Sequence, residues 1–147
     1  MLPVIDRFEN EYEWLSNFHV HDTPMIIDGK EYISNEHYFQ ACKATTPADH
    51  EKVRLCGSPN QAKGKGRQIP CRPDWQEVKE QVMLKGLQAK FAVGSELAAK
   101  LLATQPAKLI EGNWWGDSYW GVCRGTGKNR LGVLLMKVRQ YLVLQSG

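Results

Sequence analysis

No stretch of this sequence holds about 18 consecutive apolar residues, the length a helix needs to span a bilayer. The start, MLPVIDRFENEYEW, lacks the basic segment followed by an apolar one that marks a secretory leader. A cytoplasmic protein with no membrane contact is therefore expected. Cysteine is scarce and scattered: Cys42, Cys56, Cys71 and Cys123 form no CxxC pair, and no histidine stands at zinc-ligand spacing from them. That pattern speaks against a metal site and for reduced thiols. Internal repeats, low-complexity tracts and interdomain linkers are missing too. Nor does charge of one sign dominate, since 19 basic against 16 acidic residues leave a net +3. This balance permits an anionic ligand without announcing a nucleic-acid protein. What remains is a chain of 147 residues, 42% of them hydrophobic, enough for one domain over 1–147 with a real core.

Taken in order, the first thirty-odd residues read as short strands and loops. Asp28-Gly29 between MII and KEY is the strongest hairpin signal. In SNEHYFQACKA, Ser34 or Asn35 can cap a helix whose first turn carries Glu36, an acid favoured there by the helix dipole. Glu36, Gln40 and Lys43 then share one side at i, i+4 and i+7. Thr46-Pro47 and Ser58-Pro59 each start a short helix. The stretch AKGKGRQIPCRP, with four basic residues, two glycines and two prolines, reads as a loop with solvated charges. Asp74 with Glu77 makes a capping-box-like start to a long helix through Phe91, with Trp75, Val78, Val82 and Leu87 on its apolar positions. Gly94 ends that helix, Ser95 caps the next, and Lys108 to Glu111 reads as a late strand. The sum is an α+β fold, mostly helical, with a small sheet.

From Gly112 the chain turns into a loop dense in glycine and aromatics, where Trp114, Trp115, Tyr119 and Trp120 crowd around one acid, Asp117. It leads into a helix with Leu131, Leu134, Leu135, Val138, Tyr141 and Leu142 on an apolar face and Lys137 and Arg139 on a charged one. Gly125, Thr126, Gly127, Lys128 and Asn129 open that helix. Free backbone N–H groups at such a start suit a phosphate. Asn129 stands where a P-loop has Ser or Thr, so a magnesium-dependent phosphate loop is not expected.

Three segments in this order, LSNF, SNEHYFQACKA and DSYWG followed by GTGKNRLGVLLMKVR, together resemble the NADAR (YbiA-like) family. The likeness extends through DWQEVKEQVMLKGLQAKF and LLATQPAKLIEG and so covers nearly the whole chain. It implies a mixed helix and strand domain without a metal or other cofactor. The implied activity is hydrolysis of N-glycosidic bonds. Implied substrates are phosphorylated ribosylaminopyrimidines of early riboflavin synthesis, or, as the alternative, ADP-ribosylated guanine, where nucleic acid would become a partner. Matching motifs carry over Glu36, Trp75 and Asp117.

Breaking a C–N bond at the anomeric carbon of ribose develops positive charge on the sugar. A fixed carboxylate is worth more beside that transition state than beside the ground state. Glu36 and Asp117 are the catalytic pair expected, one stabilising the cation or activating water and the other positioning sugar or water. Trp75 and Trp120 offer indoles for the base. Lys43, Lys128, Arg130 and the loop from Gly125 to Gly127 offer charge and donors for the phosphate. Each residue has a plainer reading: Glu36 as a solvated first-turn acid, Trp75 as core, Asp117 as a turn cap, the glycines as the end of a loop. A non-catalytic nucleotide-binding module is the reading from another class. The two retained carboxylates oppose it, since a pure anion binder gains nothing from them.

Overall fold

The computed structural model describes residues 2–146. Along the chain lie β1 (Val4–Ile5), a 3-10 helix (Asn10–Leu15), β2 (Met25–Ile27), β3 (Lys30–Tyr32), α1 (Asn35–Ala41), α2 (Pro47–Arg54), α3 (Pro59–Gln68), α4 (Trp75–Lys90), α5 (Glu96–Ala103), β4 (Lys108–Leu109), β5 (Gly112–Asn113), β6 (Val122–Cys123) and α6 (Arg130–Ser146). Helix predominates, and the strands are short. They form three separate two-stranded pairs rather than one small sheet. The residues cluster into two compact units, Asn17–Ala89 and the combination of Met1–Ser16 with Lys90–Gly147.

In the unit Asn17–Ala89 the hairpin expected at Asp28-Gly29 forms, with Met25 opposite Tyr32 and Ile27 opposite Lys30. Both turn residues take positive φ, 52° and 80°, as a two-residue hairpin loop of this type requires. The helix starts are fixed by side-chain oxygens: Ser34, Thr46 and Ser58 each accept the amide three residues on. Helices α1, α2 and α3 pack on one another around Met25, Ile27, Tyr38, Val53, Ala62 and Ile69. The segment read as a loop at AKGKGR is the second half of α3. Two glycines lower helix propensity there, but Ala62 and Gly66, four apart, are both buried. The packing on α1 that needs a residue without a side chain at Gly66 outweighs the propensity cost.

In the other unit β1 and β4 pair in parallel, Val4 with Lys108 and Ile5 with Leu109. Helix α6 packs on both α5 and β4. A Cβ at Gly132 would run into the carbonyl of Leu109, so this glycine lets helix and strand approach closely. Two residues of α6 depart from the expected faces. Tyr141 is 52% exposed, and Arg139, expected on the charged face, is buried with its guanidinium donating to Thr104 Oγ1 at 2.9 Å. A hydroxyl near the end of α5 supplies the partner that makes this burial possible.

Candidate active site

Glu36 enters the structure as the second residue of α1, and the chain buries it to 6% exposure. Its amide donates to Asn17 O at 3.0 Å, which ties the helix start to the LSNF segment. Its carboxylate Oε2 accepts from Gln40 Nε2 at 2.8 Å, one turn along. The Gln40 amide is itself buried, and its Oε1 has no hydrogen-bond partner. Turning that amide over would set oxygen against carboxylate oxygen, so the orphaned acceptor is the cost of holding Glu36. Gly66 makes room for the arrangement, because a Cβ there would meet Gln40 Oε1. Beside the carboxylate, Lys43 is half-buried, with its ammonium 5.9 Å from the centre of the Trp75 ring. Burial is the main cause that lowers the Lys43 pKa, Arg67 and Lys63 add to it, and the Glu36 charge works the other way.

Trp75 is 7% exposed and meets Phe39 edge-on at 5.0 Å. It therefore packs in the core and carries Lys43 on its ring, leaving little of its surface for a base. His37, next to Glu36, is fully buried between Ser34 Oγ at 2.6 Å and Cys56 O at 2.9 Å. Burial lowers its pKa, and it serves as a strut from α1 to the end of α2.

The second group of expected residues lies in the unit that holds the C-terminal helix. Asp117 Oδ1 accepts the amides of Tyr119 at 3.1 Å and Trp120 at 2.9 Å. Asn113 clamps the same residue, taking its amide and donating to its carbonyl. Asp117 is thus a turn cap through one oxygen of its carboxylate. Trp120 is half-buried and edge-on to Tyr119 at 4.9 Å, while Lys128 lies over the Tyr119 ring at 5.4 Å.

The expected free amides before α6 are largely engaged. Lys128, Asn129, Arg130 and Leu131 donate to the carbonyls of Ser118, Gly121, Tyr119 and Trp120. Gly125, at φ 78°, makes a tight turn, and Gly127 packs so closely on Gly121 O that a Cβ could not be placed. Both glycines shape the loop. Within one unit the structure gathers Glu36, Lys43 and Trp75; within the other, Asp117, Trp120, Gly125, Gly127, Lys128 and Arg130. Reasoning from sequence did not single out Asn17 or Gly66, and it read Lys63 and Arg67 as solvated charges that matter only for a large anionic ligand. The signal for Gly66 is a glycine four residues from a small one, Ala62, which marks close helix packing.

The NADAR domain family model matches residues 5–143. N-glycosidase YbiA of Escherichia coli (strain K12) is 46% identical over 139 residues, covering 92% of this chain and 85% of that protein. Riboflavin biosynthesis protein VVA0006 of Vibrio vulnificus (strain YJ016) is 33% identical over 137 residues, 91% of this chain but 36% of the longer protein. The NMR structure of the E. coli protein YbiA superposes with a TM-score of 0.88 at 43% identity, over 99% of this chain and 89% of that one. No helix among the described residues is long and apolar enough to cross a membrane.

Proposed function

The chain belongs to the NADAR domain family, and from that premise we propose that it is an N-glycosidase. Its substrate is a phosphorylated ribosylaminopyrimidine of riboflavin synthesis, and water replaces the base at the anomeric carbon to give ribose 5-phosphate and a free aminopyrimidine. The observation that carries this reading is the buried Glu36 carboxylate, fixed by Gln40 at 2.8 Å. A negative charge held rigidly out of water has little to offer a neutral sugar and much to offer the oxocarbenium-like cation formed as the C–N bond lengthens. Glu36 is the stabiliser of that cation or the base for water. Asp117 is the second carboxylate and positions sugar or water. Trp120 and Trp75, the latter with the limited surface its packing leaves, are the indoles assigned to the base in this reading. Lys43 stands beside Glu36, and Gly125, Gly127, Lys128 and Arg130 supply the remaining polar contacts. The similarity to a protein named N-glycosidase YbiA over 92% of the chain supports the reaction type.

The test is a chromatographic assay in which purified protein meets a ribosylaminopyrimidine phosphate in one reaction and ADP-ribosylated guanosine in another, each beside Glu36→Gln. Release of ribose 5-phosphate and free pyrimidine is expected, with kcat down by about 10²–10³ in the variant, the size of removing one preorganised transition-state contact. A folded Glu36→Gln protein with wild-type turnover would overturn the assignment. Release of guanosine and ADP-ribose instead would keep the reaction and change the substrate.

A further inference from the structure

Lys43, Lys63 and Arg67 take part in no ion pair among the described residues, whereas Lys30, Lys52, Arg54, Arg72 and Lys85 of the same unit each pair with an acid. Lys63 and Arg67 are one helical turn apart on α3. Each directly follows a residue, Ala62 or Gly66, that is buried as α3 packs on α1. The two cations therefore lie on one side of the helix contact in which Gly66 meets Gln40, the residue that holds Glu36. Lys43 comes two residues after α1 ends and feels the charges of both Arg67 and Lys63. Two of the three groups are steadied on aromatic faces, Lys43 over Trp75 and Lys63 over Phe18 at 5.7 Å. Like charges gathered in this way repel one another. Glu36 is one acid against three bases, so the cluster keeps a net positive charge that an anion would neutralise. The rival place for an anion, the start of α6, has its amides from Lys128 to Leu131 already bonded to carbonyls.

The geometry points to Lys43, Lys63 and Arg67 as the subsite that takes the phosphate ester on C5 of a ribose. That group is common to a ribosylaminopyrimidine phosphate and to ADP-ribose. The choice of a ribose ester rests on the N-glycosidase reading above, whereas the anion site itself rests on the cluster. Because the cations border the α1–α3 contact through which Gln40 holds Glu36, a phosphate held there fixes one end of the sugar while the carboxylate meets the other, converting binding energy into alignment.

The experiment is calorimetric titration of the full chain at low salt with ribose 5-phosphate, ribose and ADP-ribose, for the wild type and for Lys63→Ala, Arg67→Ala and Lys65→Ala. Ribose 5-phosphate should bind at least tenfold more tightly than ribose, and Lys63→Ala and Arg67→Ala should each weaken it about tenfold, the size of one charge-assisted hydrogen bond. Lys65→Ala, on the same helix and outside the cluster, should leave it unchanged. Arg67→Lys keeps the charge and should recover part of the loss if Arg67→Ala proves poorly folded by circular dichroism. ADP-ribose binding that is tighter and equally dependent on the three cations would support the subsite and select the dinucleotide-like source. Equal binding of ribose and ribose 5-phosphate, or wild-type affinity in both Lys63→Ala and Arg67→Ala, would overturn the subsite. Kinetics separates the two ideas: if wild-type protein hydrolyses neither substrate while phosphate binding depends on the cations, the N-glycosidase reading fails and the subsite stands. If the substrate turns over with KM unmoved in the variants, the N-glycosidase reading stands and the subsite fails.

Discussion

Gln40 is buried to 5% with one end of its amide bonded to Glu36 and the other end bonded to nothing. A leucine there would fill the space and spare the orphaned acceptor, but it would take the donor from the buried Glu36 carboxylate, so the glutamine is explained by the acid beside it. Its role must be sought in the carboxylate it orients. Gln40→Leu should lower kcat about tenfold, the value of a hydrogen bond to a charged group, while KM stays within about twofold because ground-state binding is hardly touched. Gly66 gives a second, independent handle. Gly66→Ala places a methyl group against Gln40 Oε1 and should push the amide off Glu36, reducing kcat in the wild-type background. In a Gln40→Ala background that methyl meets only the Cβ of residue 40, at 3.0 Å, and no longer the amide oxygen, so the same substitution should cost much less in a double-mutant cycle. Additive losses would show that Gly66 acts through the backbone of α3 instead. Legibility at this scale was uneven: the i, i+4 spacing put Gln40 on the Glu36 side of α1 from sequence alone. The glycine that makes room for Gln40 lies 26 residues on in the chain, by the numbering of the two positions, and no local pattern links them.

Helix α6 shows how an element is anchored by one residue at its start. Asn129, 8% exposed and at φ 52°, accepts the Glu111 amide through Oδ1 and donates to Leu109 O through Nδ2, both at 2.9 Å. It thereby bonds both to β4 and to the chain just beyond it, from a left-handed conformation that few residues adopt. Asn129→Ala should destabilise the protein by about 3 kcal/mol, combining two unsatisfied buried backbone groups with the strain of a Cβ at positive φ. Asn129→Gly loses the same bonds without that strain and should recover about 1 kcal/mol. Urea unfolding of the two variants checks the order, and an alanine as stable as the glycine would rule out the conformational part. Helix starts were the most legible elements in the sequence, since Ser34, Thr46, Ser58 and Ser95 all accept the amide three residues ahead. Capping is a local affair of four residues. The failures were tertiary. The second half of α3 looked like a loop because its glycines were weighed by propensity, and Arg139 looked solvent-facing because its partner, Thr104, belongs to α5.

At the scale of the whole molecule, the buried titratable groups set a pH profile for stability. Lys90 is fully enclosed: its ammonium donates to Ser16 O at 2.7 Å and lies 5.2 Å from the Phe91 ring centre. Burial brings its pKa down to about 7, against a small opposing effect of Glu13, from an ordinary 10.5. Between those values the unfolded chain holds a proton that the folded chain has released, so unfolding takes up protons and stability rises with pH. His37 and His50, both lowered mainly by burial, act in the same direction below their ordinary 6.5. Tyr32 works the opposite way. Burial raises it to about 12, and Tyr38 is raised by the same cause, so above pH 10 the folded chain keeps protons that the unfolded one loses and stability falls. Cys42, raised by burial from 9.0, begins that decline slightly earlier. Urea midpoints measured from pH 6 to 11 should therefore climb from neutrality to about pH 9 and turn down beyond about pH 10. Lys90→Met removes the group whose pKa is brought down to about 7, while Lys43, also lowered by burial, still acts in the same direction closer to its ordinary 10.5. It should flatten the climb above pH 7 and leave the alkaline fall in place, since the tyrosines are untouched. A midpoint that still rose between pH 7 and 9 in Lys90→Met would assign the climb to another group. A flat wild-type profile would mean that Lys90 keeps its proton when buried, held by Ser16 O and Glu13 more firmly than burial opposes it.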